Sequence, residues 1–207
     1  RLRKVPGRPP GQAPASLDNF WPQARRVFPP LLWLLSGRIF MMAALTTYLP
    51  IFVSDEREGG LWLAAASLTI LEAAGVAGAL LSGTLSDRLG RKRVLLVLLT
   101  ASPILMMAFI YSPTWLAFPL LLLLGFAAIS PQPVLLATVQ DQFPNNRALG
   151  NGTFLALNFL VRALGIWLVG QASDAYGLNA AFTATAVLAF ISVPAVFFLP
   201  KGQPQPA

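Results

Sequence analysis

Three ionisable side chains, Arg38, Glu72 and Arg162, stand inside long apolar runs, where a charge is expensive unless it pairs or faces water. At 1.5 Å of rise per residue, Glu72 and Arg162 each lie about 20 Å from the basic end of their run, and Arg38 about 13 Å. Two chemistries fit them. Glu72 can carry a coupling proton, with Arg162 or Arg38 setting its pKa or holding an anionic substrate; alternatively, Glu72 and Arg162 form a buried structural ion pair. Asn158, one helical turn before Arg162, and Gln132, flanked by Pro131 and Pro133, are the other polar candidates. Those prolines break a helical ladder and free carbonyls, which is tolerated where a helix lines a cavity. A different kind of cluster follows Gly83. There Leu85, Ser86, Asp87, Arg88, Gly90, Arg91, Lys92 and Arg93 crowd into one short connection. Glycines let the chain turn, Asp87 can accept amide hydrogen bonds at a helix N-terminus, and Arg88 and Arg91 can pair with carboxylates or terminal carbonyls. Cysteine and histidine are both absent, so no disulfide, Cys/His metal site, thiol nucleophile or imidazole base exists. No nucleophile–base pair stands out, and neither an enzyme nor a metal or organic cofactor is expected.

The elements that position these residues are set by composition. The chain has 207 residues, of which 56% are hydrophobic and 11% charged, against roughly 25% charged in soluble domains. Six apolar runs, near Pro29–Val53, Gly60–Gly83, Val94–Tyr111, Thr114–Thr138, Ala148–Ser173 and Asn179–Leu199, approach the length of about 20 residues that a bilayer demands. Short polar connections join them. Residues 1–28, rich in Pro, Gly and Arg, read as a disordered cytoplasmic linker, and residues 201–207 as a disordered tail. Residue 1 is Arg rather than Met, and no signal-peptide layout precedes the first run, so the chain reads as a fragment or a processed product. With both termini inside, twelve of the 15 basic residues fall on the cytoplasmic side and only Arg57 outside. Tyr48, Tyr111, Tyr176, Trp62 and Trp115 then form an outer aromatic belt. The basic residues sit at membrane edges, which argues for positive-inside topology and attraction to a lipid bilayer and against nucleic acid as a partner.

An internal repeat divides the bundle. Gly83–Gly90 and Gly170–Gly177 both fit G-x-x-S-D-x-x-G at the ends of the second and fifth runs. Three helices separate the copies, so they lie on opposite membrane faces. The expected fold is therefore an all-α membrane protein, six transmembrane helices arranged as a 3+3 inverted repeat. Gly75, Ala79 and Gly83 form a small-residue stripe for close helix packing.

The string from Gly83 to Lys92 resembles the signature loop of the major facilitator superfamily, G-x-L-A-D-R-x-G-R-K/R-x. It matches at Gly83, Leu85, Asp87, Arg88, Gly90, Arg91 and Lys92, with Ser86 where Ala is common. The resemblance implies a latch that stabilises the cytoplasm-closed state, with Asp87, Arg88 and Arg91 as its charges. Pro144-x-x-Arg147-Ala-x-Gly150-x-Gly152 and the end at Phe197-Phe-Leu-Pro-Lys201 resemble the C-terminal half of that family, and the pattern is similar to fosmidomycin-resistance-type efflux permeases. The resemblance implies a multi-pass protein of the bacterial inner membrane and one half of a transporter working by alternating access. Its expected partners are a small-molecule substrate or drug, protons as coupling ion, and a second six-helix half, either an N-terminal half or another copy. A non-transporting descendant of the same fold and an autonomous half that dimerises are the alternatives.

Overall fold

The computed structural model describes residues 17–57 and 60–199. Among the described residues all regular structure is helical. Six spans are long and apolar enough to cross a membrane: Phe20–Asp55, Leu61–Leu89, Arg91–Tyr111, Thr114–Gln142, Arg147–Tyr176 and Leu178–Phe198. Two of them are interrupted well inside the span, and the sixth turns near its end at Val193 and Pro194, between helices Leu178–Ser192 and Ala195–Phe198. The first passes through a π-helical turn at Ala44–Tyr48, and the fourth divides at Ser130 into helices Ala117–Ile129 and Pro131–Gln142.

The repeat extends over the whole bundle. Asp55 and Gln142, Leu89 and Tyr176, Arg91 and Leu178, and Tyr111 and Phe198 bound equivalent spans, and each pair is 87 positions apart (142 less 55, 176 less 89, 178 less 91, 198 less 111). The same offset carries the start of the π turn, Ala44, onto Pro131, so both central spans break at one equivalent level. Packing obeys the same exchange. The second span packs chiefly on the fourth and the fifth on the first; the third packs on the fourth and the sixth on the first; the third and sixth pack on each other. Gly90 and Gly177 close the two motif copies with φ of 91° and 84°. Each donates its N–H to the serine carbonyl four residues back, Ser86 at 3.0 Å and Ser173 at 2.9 Å.

Three expectations change. The linker assigned to residues 1–28 is helical from Leu17, and Phe20, Ala24 and Val27 are buried. The rings of Phe20 and Phe28 lie 5.1 and 5.7 Å from that of Phe143. Spacing of four, three and four residues from Phe20 to Leu31 makes one apolar stripe, which the intervening arginines and prolines disguise. Residues 1–16 and the tail 201–207 lie outside the described residues. Next, the motif is not a loop: Gly83–Leu89 complete the second helix, and Gly90 alone joins it to the third. Finally, close packing of the second and fourth spans uses Gly75, Gly78 and Gly125. A Cβ at Gly125 would overlap the Leu71 carbonyl, and one at Gly75 would overlap Ile129, whereas Gly83 has nothing nearby.

The buried apolar residues form two clusters stacked along the spans. One holds Leu31, Leu34, Ile39, Leu99, Val134, Phe154, Val161 and Ala195 among others. The other holds Met41, Leu45, Phe52, Met106, Ala128, Val169, Phe182 and Ala189. On the third, fourth, fifth and sixth spans the chain passes from one cluster to the other across a polar residue, Ser102, Ser130 with Gln132, Arg162 and Ser192, and on the first Arg38 stands two residues before the passage at Phe40. Polar residues thus collect where the two apolar clusters meet.

Candidate functional site at the helix breaks and at the basic end

Arg38 is 5% exposed. It reaches from the first span to the break in the fourth. Nη1 donates to Gln132 Oε1 at 2.9 Å and Nη2 to the Ala128 carbonyl at 3.2 Å, while Nε has no partner. The break supplies what a buried guanidinium requires, a side-chain amide oxygen and a main-chain carbonyl, while Pro131 and Pro133 lack N–H groups and leave the Ala127 and Ile129 carbonyls on either side without helical donors. Other carbonyls there are served by side chains as well. Ser82 of the second span donates to the Ser130 carbonyl at 2.8 Å, and the Ser130 hydroxyl donates to Phe126. Among the described residues no carboxylate pairs with Arg38, and the guanidinium is met by amide oxygens.

Arg162 repeats the arrangement at the other break. It reaches from the fifth span to the π turn of the first, where Nη2 donates to Thr46 Oγ1 at 3.1 Å. Tyr48 at the end of that turn donates its hydroxyl to the Ile166 carbonyl at 3.0 Å. Each intramembrane arginine is thus lodged against the broken central span of the opposite repeat. Arg162 is exposed on the six-helix unit, unlike Arg38.

The structure brings Arg38 and Gln132 together, but it does not join Glu72 to Arg162. Among the described residues Glu72, exposed on the second span, makes no ion pair, and the hydrogen bond of Arg162 goes to Thr46. The inverted repeat sets both at similar depth but packs their helices on different neighbours, the fourth span for Glu72 and the first for Arg162. The structural pair expected from depth is therefore absent. Asn158 donates back to the Phe154 carbonyl in its own helix at 2.8 Å and joins neither arginine.

At the basic end, Arg91 bridges two elements. Its Nη1 contacts the Asp141 carboxylate and the Ala137 carbonyl, both in the last turn and a half of the fourth span, and Nη2 lies 3.9 Å from Asp87 Oδ1. A cation fits there twice over, opposite a carboxylate and at a helix C-terminus. Lys92 donates to the Phe197 carbonyl at 3.0 Å and sits 5.4 Å from the ring of the same residue, at the end of the sixth span. Asp87 makes none of the amide contacts expected of it and is 72% exposed, held only at its Arg91 side. Arg88 makes no contact among the described residues. The sequence reading missed Asp141. Its signal was available, since it is an acid at a helix end on the same membrane side as the basic string.

At the opposite end a different pair of residues joins the corresponding elements. Asn179 in the first turn of the sixth span donates to Glu56, just past the end of the first. Arg57 beside it stacks over Phe109 at 4.4 Å, and burial lowers its pKa. Among the described residues no group of His, Cys, Asp or Glu could hold a metal.

Comparison with known proteins gives a family model described as Major Facilitator Superfamily, matching residues 2–147 and 68–207. An uncharacterised MFS-type transporter of Bacillus subtilis (strain 168), YfnC, is 31% identical over 129 residues. That stretch is 62% of this chain but only 31% of the relative's length.

Proposed function

Since this chain belongs to the major facilitator superfamily, as its two family-model matches show, we propose that it forms one half of a secondary transporter that moves a small molecule by alternating access. Membership makes it an integral, multi-pass membrane protein with a transporter role; the half, the mechanism and the direction are our reading. The observation that carries it is the pair of broken central spans, each met by an arginine from the opposite repeat. Irregular backbone at mid-depth is tolerated where it faces protein or a water-filled cavity, and inverted repeats place substrate sites there.

In this reading the second six-helix half, covalently joined or another copy, closes the cavity. Arg91, anchored on Asp141, fixes the end of the second span so that exposed Asp87 and Arg88 meet the other half when the basic end is shut. Glu72, exposed and unpaired, is the candidate for proton coupling, and Arg162 for substrate. The resemblance at Pro144–Gly152 and Phe197–Lys201 supports a C-terminal half of the fosmidomycin-resistance type working in export, with both termini cytoplasmic in a bacterial inner membrane. The test is Asp87→Asn in the full-length transporter. Insertion and abundance are expected to stay normal while transport falls, because the substitution removes charge and nearly preserves shape. Wild-type transport rates at equal abundance would refute the latch role.

A further inference from the structure

The four basic residues that cluster around Gly90 are not used alike. Arg91 is spent on Asp141 and Ala137, and Lys92 on Phe197. Arg88 and Arg93 have no partner among the described residues. Arg93 stands at the rim of a groove of about 210 Å³ between the second and third spans. Leu81, Leu85, Val94, Val97 and Phe126 line it, and Leu81, Leu85 and Val97 are 57, 46 and 67% exposed. Leu81, Leu85 and Leu89 step along the last turns of the second span toward its basic end, where Arg93 stands.

We propose that this is a binding site for an anionic phospholipid, with part of one acyl chain in the groove and the phosphate held by Arg93 and Arg88. The occupant needs both properties. A neutral lipid would fill the groove and leave two guanidinium groups uncompensated, and free phosphate would leave the apolar walls bare. Guanidinium groups match phosphate oxygens in a bidentate fork, and basic pockets between helices at the membrane boundary suit anionic headgroups. The inference rests on membrane insertion and not on transport. It also places a lipid phosphate two residues from Arg91, so the composition of that leaflet would bear on the end of the second span.

The test uses the full-length protein in nanodiscs of mixed phosphatidylglycerol and phosphatidylcholine, with retained lipid read by native mass spectrometry. Wild type should retain phosphatidylglycerol in preference. Arg93→Gln and Arg88→Gln should each lower that preference about fivefold, whereas Arg93→Lys, which keeps the charge but loses the fork, should lower it less. Arg147→Gln, which removes a cation at the same end but outside the groove, should leave it unchanged. Leu85→Trp, filling the groove, should lower retention of both lipids. Equal retention of the two lipids by wild type would overturn the site. So would an equal loss in Arg147→Gln, which would mean diffuse attraction, or full retention in Leu85→Trp. A cross-linker at Val97→Cys that captures the second half in place of lipid would also overturn it, since that half would then cover the groove.

Discussion

Arg38 and Arg162 both reach a broken span of the opposite repeat, yet their energetics differ because one is buried and the other exposed. Gln132 carries part of the Arg38 charge, so Gln132→Leu should destabilise the protein by about 1–3 kcal/mol, the cost of leaving a buried donor unsatisfied. Arg38→Leu combined with Gln132→Leu should recover much of that loss, since replacing a whole buried polar pair by apolar groups can be near neutral. Glu72 and Arg162 should behave oppositely. With no contact between them, Glu72→Gln and Arg162→Leu should add to within about 0.5 kcal/mol. Thermal unfolding in detergent checks both pairs, and rescue in the second double variant would restore the ion pair that the structure lacks. The depth of these residues was legible in the sequence, because rise per residue is fixed. Their partners were not. Helices apolar nearly all round give no periodic signal for rotation, and a π turn such as Ala44–Tyr48 has no residue signature.

At the scale of elements, eight residues exposed a repeat that the structure extends to entire spans. Gly90 and Gly177 show why the motif was readable. Both take positive φ with extended ψ, a conformation that essentially only glycine adopts without strain. Gly90→Ala and Gly177→Ala should therefore each cost about 1–3 kcal/mol, and similar losses at the two sites, measured by unfolding, would mark them as equivalent caps. The start of the first helix was not legible for the opposite reason. Pro22, Pro29, Pro30, Arg25 and Arg26 look like linker composition, but tertiary packing of Phe20 and Phe28 on Phe143 overrides that local signal. The charged cluster at the basic end was half legible. Its cations stand out by their order, but the acid that Arg91 contacts, Asp141, lies 50 residues away on a helix whose end only the fold brings beside Arg91.

For the whole molecule, the proposed orientation with both termini cytoplasmic rests on charge asymmetry alone. A chain without cysteine makes this simple to test. A thiol introduced by Ser54→Cys should react with an impermeant reagent added to intact cells, and one introduced by Gln203→Cys should not; the reverse pattern would invert the topology. The central claim is alternating access, and it depends on the two broken central spans with the latch at one end. Ser36 and Thr47 lie on the first span on either side of Arg38, eleven residues and about 16 Å apart. In the full-length transporter, the most direct measurement is the thiol reactivity of Ser36→Cys and Thr47→Cys, each with and without Asp87→Asn. Alternating access predicts opposite changes, with reactivity at position 36 rising from the basic end as that at position 47 falls. Reactivities that rise together, or that ignore the latch substitution, would contradict the account.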